Sequence, residues 1–148
     1  MRGLPNLKNM ASVVLESEFH RVREFYRLTG YTGDVQHGDV VVGAWRGNDL
    51  VGVVRITTEE GVRVLRGMRV LPEFQRQGIG TEILGEIRLL LNGTECFAIA
   101  YAHLKDFYGT IGFRDSNEKD APAFLRLRIN KYRAENPKQI FILIRKVR

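Results

Sequence analysis

Between Phe74 and Leu84 the chain reads FQRQGIGTEIL, with Gly78 and Gly80 two residues apart behind Gln75-Arg76-Gln77 and an apolar-periodic run directly after. A helix N-terminus leaves its first N–H groups unpaired and carries about half a positive charge, so a glycine-lined entry lets an anion such as phosphate approach bare backbone. The plainer alternative is a tight loop that opens a core helix. Two phosphate-binding patterns are excluded. A dinucleotide fold needs its glycines after a first parallel strand, with an acidic residue about 20 residues on, whereas here a three-strand meander comes first. A P-loop needs Lys after its last glycine, and Thr81 stands there instead. His20, His37 and His103 show no metal-ligand spacing, and Cys96 is the single cysteine, so no metal site is expected and no internal disulfide can form. Cys96 opens an apolar run and reads as core, with no partner for a nucleophilic role.

The 148 residues suit one domain over 1–148, a length that buries about 68 to 70% of the unfolded surface. Hydrophobic residues make up 44% and charged residues 27%, which argues against disorder. No apolar run approaches the roughly 20 residues of a membrane span, and MRGLPNLKNM lacks a signal-peptide core, so a cytoplasmic location without membrane contact is expected. Asn92-Gly93-Thr94 fits a glycosylation sequon but reads as a turn in that setting. The net charge of +6 favours a polyanion, whether nucleic acid, acidic lipid or a phosphorylated cofactor. No aromatic-basic stacking motif or recognition helix accompanies it, so no nucleic-acid partner is expected. Much of the excess lies near the end, from Arg126 to Arg148, as a solvated helix face and tail or as a binding patch.

The elements that would hold the glycine junction follow from periodicity. SVVLE reads as a short strand, and SEFHRVREFYRLTG as a helix with Phe19, Val22, Phe25 and Tyr26 on one face, Ser17 as cap and Gly30 as stop. DVVVGAWR, LVGVVRITT and VRVLRGMRVL read as an antiparallel meander through the turns GND and EEG. After the junction comes a helix with Ile83, Leu84, Ile87, Leu90 and Leu91 on one face, stopped by Asn92-Gly93. CFAIAYA reads as a buried strand and HLKDFYGTIGF as a short helix returning to the sheet. DAPAFLRLRINKYRAENP reads as a helix capped by Asp120 with Pro122 in its first turn, and QIFILIRKV as a strand buried on both faces. The order is β-α-β-β-β-α-β-α-β-α-β, an α/β fold with a mixed, mostly antiparallel central sheet flanked by helices.

The stretch LRGMRVLPEFQRQGIGTEIL, with Gln75, Gly78 and Gly80 in the motif positions, resembles the acyl-CoA-binding core of the GNAT superfamily of N-acetyltransferases. A second stretch, FYGTIGF from Phe107 to Phe113, is similar to that family's F-Y-x-x-x-G-F, and the resemblance spans Val40 to Phe113. It implies acetyl-CoA (coenzyme A) as cofactor and a parallel wedge between the fourth and fifth strands. The strand carrying Met68 and Val70 would bind the pantetheine arm through its backbone. The amides of Gln75, Arg76, Gln77, Gly78, Ile79, Gly80 and Thr81 would hold the pyrophosphate, with Arg76 free to add an ion pair. Under that reading both glycines exist because a Cβ would hold the phosphate off or block the required backbone angles.

The resemblance also implies Tyr108 as general acid beside the thioester sulfur. The glutamate some relatives use as base has no counterpart, since Val62, Val64, Arg66, Met68 and Val70 fill that face of the third meander strand. Substitutes are His103, for its pKa range, and Glu59 or Glu60 at the meander turn. Arg55 and Arg66 are candidates for an acceptor carboxylate. The insertion from Asp115 to Lys138, with Phe124, Leu125, Arg128 and Tyr132 on one helix face, either packs on the core or pairs with a second copy as a homodimer. The implied reaction is acetyl transfer to a primary amine, a small metabolite or amino acid. The alternatives are a protein lysine or N-terminus as acceptor, or a noncatalytic acyl-CoA-binding module.

Overall fold

The β-branched runs after Gly38 pair as β2 (Val40–Arg46), β3 (Asp49–Glu59) and β4 (Val62–Val70), an antiparallel meander. The computed structural model describes residues 10–136 and 138–147, so the chain start at 1–9, Pro137 at the end of the last helical run and Arg148 of the basic tail lie outside it. β1 (Ala11–Val13) pairs with β2 at one edge. Beyond β4 come β5 (Cys96–Tyr101), β6 (Arg114–Asp115) and β7 (Ile140–Arg145), in the spatial order β1-β2-β3-β4-β5-β7-β6. Every neighbouring pair is antiparallel except β4 and β5, which run parallel.

Side-chain alternation sorts the helices onto faces. Val53 packs with Phe19, Val22 and Phe25 of α1 (Phe19–Thr29), while its neighbour Val54 packs with Ile79, Ile83 and Ile87 of α2 (Ile79–Leu90). Thr57 faces Val64 across the β3–β4 ladder, and Val64 packs on Leu125 and Ile129 of α4 (Ala123–Glu135). Thus α1 and α4 share one face and α2 covers the other. The short α3 (Lys105–Gly109) delivers Tyr108 to the α2 face.

Two expectations about helix starts and one about the burial of the last strand are corrected. Ser17 lies inside a 3-10 turn, Glu16–Glu18, and α1 begins after Glu18 with no side-chain cap, although Gly30 does end it at φ +74°. Asp120 closes another 3-10 turn, capped by the Asn117 side chain, and α4 opens after Pro122. The proline ring pushes Ala121 into an extended conformation, which carries Asp120 out of capping reach. In β7, Ile140, Ile142 and Leu143 are buried, but Phe141 and Ile144 are only half-buried, because the partner on its outer side, β6, is two residues long.

The β4–β5 ladder has two residue pairs, Val64 with Phe97 and Leu65 with Ala98; both strands continue past them without pairing. The separation is helped from the other side. Three residue steps on β4, from Arg66 to Arg69, oppose two on β3, from Arg55 to Val53, so β4 bulges at Gly67 and Met68. Gly67 sits at φ +69°, and its carbonyl accepts a 2.9 Å hydrogen bond from the Tyr26 hydroxyl on α1. A bulge of this kind turns the strand out of the sheet, and Tyr26 holds it there.

Candidate active site

Where β4 and β5 part, a cleft of about 890 Å³ opens, lined on the α2 side by Met68, Gln75, Ala100, Leu104 and Tyr108. On the opposite side of the sheet it is lined by Tyr31, Arg66, Arg69, Arg128, Tyr132 and His103, among others. The cleft therefore has an end near the glycine junction and an end near α4.

At the first end, Arg76 and Gly78 both have positive φ, +65° and +82°, which folds the loop tightly before α2. The first N–H of this helix to find a backbone acceptor within the chain is that of Glu82, bonded to Gly78 O at 3.0 Å. The amides of Ile79, Gly80 and Thr81 thus precede the helix ladder and face the entry with the helix dipole behind them. Gln75 is corrected as an amide donor, because its N–H bonds Pro72 O at 3.3 Å. Its side chain instead bonds the Val70 carbonyl at 3.1 Å, which occupies one of that carbonyl's two lone pairs. The Gln77 side chain is likewise turned back, to Glu73 O at 3.1 Å. Met68 lies on the unpaired stretch of β4, and Arg76 is exposed.

The two glycines serve different ends. A Cβ on Gly78 would meet nothing within 4 Å, so its constraint is the backbone angle alone. A Cβ on Gly80 would lie 2.9 Å from Cζ of Phe107, so Gly80 makes room for an aromatic ring. At Gly80, packing between the two motifs gives a reason for the missing Cβ besides room for a phosphate.

Tyr108 is 8% exposed, its ring edge-on to Phe107 at 5.2 Å and to Phe113 at 6.0 Å. Burial pushes its hydroxyl up to about 12. His103 is exposed on the cleft wall, stacked on the Tyr101 ring at 5.7 Å.

Glu59 is not among the cleft-lining residues. Its carboxylate pairs with Arg128, accepts a 2.7 Å hydrogen bond from Thr57 Oγ1 and lies 3.6 Å from Arg66. Burial alone would raise its pKa, but the Arg128 and Thr57 hydrogen bonds outweigh this and hold it below the ordinary value. A carboxylate so held is a weak base. Glu60 occupies the turn with φ +51° and is exposed. Arg55 faces α1, fully buried, pairing with Asp39 at 3.2 Å and donating to the Tyr31 hydroxyl at 2.8 Å. Arg66 does line the cleft, with its guanidinium 3.5 Å from the Tyr132 hydroxyl. The α4 stripe is core packing, as Leu125 and Ile129 are buried.

A family model described as an acetyltransferase (GNAT) domain matches residues 10–127. The chain belongs to the GNAT acetyltransferase family. Acetyl-CoA is the cosubstrate of that family, and the β4–β5 wedge, the free α2 amides and the tight Gly78 turn fit such a molecule. No curated protein sequence matches the chain significantly. Among solved structures, the GNAT chain resembles Escherichia coli ElaA at TM-score 0.65 and 12% identity, covering 92% of this chain and 98% of that one. It also resembles the ribosomal-protein-S18-alanine N-acetyltransferase of Escherichia coli, at TM-score 0.64 and 12% identity over 91% of each chain. A third is the N-acetylglutamate synthase of Neisseria gonorrhoeae, solved with coenzyme A and N-acetyl-glutamate, at TM-score 0.62 and 16% identity, covering 94% of this chain and 35% of that one. These likenesses carry the fold. No helix among the described residues is long and apolar enough to cross a membrane.

Sequence reasoning missed Tyr26, Tyr31 and Arg69 as contributors to the cleft. A glycine inside the strand run, Arg66-Gly67-Met68, signals a bulge, and a bulge needs a partner for its displaced carbonyl. That signal could have led to Tyr26. Nothing local to Arg69 marks it out.

Proposed function

We propose that this chain transfers the acetyl group of acetyl-CoA to a primary amine of an amino acid or other small metabolite, as one domain. The observation that carries the reading is Tyr108, whose hydroxyl has no hydrogen-bond partner among the described residues and belongs to the wall of the β4–β5 cleft.

When bound, acetyl-CoA supplies a thioester whose carbonyl carbon takes the amine nitrogen and whose C–S bond breaks to leave the thiol. The amides of Arg76, Gln77, Gly78, Ile79, Gly80 and Thr81 bind the pyrophosphate, Arg76 adds its charge, and the unpaired backbone around Met68 orients the arm. Tyr108 donates a hydrogen bond to the departing sulfur. With its hydroxyl near 12 and a thiol near 8.5, full proton transfer is uphill by roughly 5 kcal/mol. Tyr108 therefore stabilises the developing thiolate as a donor and passes its proton only late. On the other side, a lysine-type amine near 10.4 is neutral at pH 7 for about 4.6 kcal/mol, against about 1 for a peptide N-terminal amine near 7.8, and the α-amine of a free amino acid, whose own carboxylate favours its protonated form, lies between them. Such an amine must lose its proton before it attacks, and His103 on the cleft wall or solvent takes it.

Calorimetric titration with acetyl-CoA, with desulfo-CoA and ATP as controls, followed by thiol release over an amine panel, tests the reading. Micromolar binding, much tighter than ATP, and release with a small amine are expected. Binding without release from any small amine, peptide N-terminus or lysine peptide would leave an acyl-CoA-binding module, and release with peptides alone would make the acceptor a protein.

A further inference from the structure

The side of the cleft opposite α2 carries an unbalanced charge. Arg66, Arg69, Arg128 and Lys138 line it, and Glu135 is the one lining carboxylate among the described residues. Glu59, just outside the lining, is shared between Arg128 and Arg66. Setting both glutamates against the four cations still leaves positive charge in excess. The excess is not spread evenly. Arg128 is committed to Glu59, and Arg66 divides its guanidinium between Glu59 and the Tyr132 hydroxyl. Lys138 sits over the Tyr101 ring at 5.3 Å. Arg69 has no carboxylate within ion-pair distance among the described residues, and its guanidinium lies 5.4 Å from the Tyr31 ring. Tyr31 is itself fixed by the buried Arg55 through its hydroxyl, so Arg69 packs against a rigid surface two residues beyond the Gly67 bulge.

A primary amine arrives from neutral water as an ammonium ion, and this cleft repels a cation. An anionic group on the same molecule reverses that balance. Once the molecule is bound, the neighbouring cations favour the neutral amine, which is the form that attacks. Arginine with a free planar fork is suited to a carboxylate or phosphate.

We infer that the acceptor is an amine that also carries a carboxylate or phosphate group, and that Arg69 receives this group. The inference rests on the acetyltransferase reading and narrows its substrate class. Arg69 is a specificity-determining residue; it takes no part in bond making.

The test measures thiol release from acetyl-CoA with matched amines: β-alanine, O-phosphoethanolamine and ethanolamine, then the L-amino acids against their decarboxylated amines. The anionic member of each pair is expected to show at least a tenfold higher kcat/KM, and the carboxylate and phosphate arms tell the two sources apart. Arg69→Gln should remove that preference by raising the acceptor KM at least tenfold with the KM for acetyl-CoA within twofold, and Arg69→Lys should restore part of it. Equal or better use of the amines that lack an anionic group, or a preference that survives Arg69→Gln, overturns the inference while leaving the transferase reading intact. Acetyl-CoA binding with no release from any amine overturns the transferase reading and this inference together.

Discussion

The Cβ that Gly80 lacks would stand 2.9 Å from Cζ of Phe107, so the helix that follows the glycine junction and the helix that carries Tyr108 touch at a point with no spare volume. Phe107 in turn packs edge-on against Tyr108 at 5.2 Å. Gly80→Val should therefore push Phe107 outward, cost about 1 to 3 kcal/mol in stability and lower kcat through a displaced Tyr108. Phe107→Leu in the same chain should recover much of both losses. Thermal unfolding and turnover of the single and double variants decide it: independent, additive effects would show that the contact does not couple the two motifs.

Tyr108→Phe removes one oxygen from the cleft and leaves the ring packing with Phe107 and Phe113 in place. If the hydroxyl stabilises the departing sulfur, kcat should fall by about 10²- to 10⁴-fold, with the Kd for acetyl-CoA within twofold. Because burial raises the hydroxyl to about 12, the wild-type kcat should show no loss from its ionisation up to pH 10. Turnover in the variant close to that of wild type would return Tyr108 to the role of a packing residue.

The element order was legible because each segment carried its own signal: β-branched runs in β2 and β3, 3.6-residue spacing in α1 and α2. The helix starts were not. Ser17 and Asp120 look like caps in isolation, yet each sits in a 3-10 turn set by neighbouring backbone. At the site, Gly78 was readable because φ is a local property, whereas the task of Gly80 depends on Phe107, a residue 27 positions away that touches it only in the folded chain. Arg55 and Arg66 alternate along neighbouring strands and pair in the sheet, but the bulge at Gly67 and the burial of Asp39 send their charges to different partners. Charge pairing across helices is invisible to spacing.

The Tyr26 hydroxyl and the Gly67 carbonyl bind α1 to the bulge in β4 at 2.9 Å. Tyr26→Phe should cost about 1 kcal/mol of stability. Gly67→Ala should cost more, since its Cβ would lie 2.4 Å from Tyr26 Oη in a backbone conformation at φ +69° that alanine resists. Both should raise the Kd for acetyl-CoA, because the bulge keeps β4 away from β5. Chemical denaturation with calorimetry on the two variants is the measurement. Unchanged affinity in the alanine variant would mean the strands separate without the bulge.

Arg55 and Asp39 form a pair whose side chains are 3% and 7% exposed, away from the cleft. Arg55→Gln should leave Asp39 buried beside a lost partner and cost about 3 to 5 kcal/mol. Because Arg55 also fixes the Tyr31 ring on which Arg69 packs, the acceptor KM of the molecules that remain folded should rise, but by less than in Arg69→Gln. A large rise in that KM with stability unchanged would instead place Arg55 in substrate recognition.

Cys96 is fully buried at the head of β5, and burial pushes its thiol from 9.0 up to about 12. The folded state holds this proton more tightly than the unfolded state, so the stabilisation is complete below pH 9 and is lost as pH rises from 9 through 12. At pH 10 the linked loss from this one group is about 1.4 kcal/mol, before the Tyr108 hydroxyl begins to add its own between 10 and 12. Cys96→Ala should lower stability at every pH through lost packing, yet show a smaller further drop between pH 8 and pH 10 than the wild type. Urea denaturation of both proteins under reducing conditions at those two pH values measures the difference, and equal drops would show that the thiol does not titrate with unfolding.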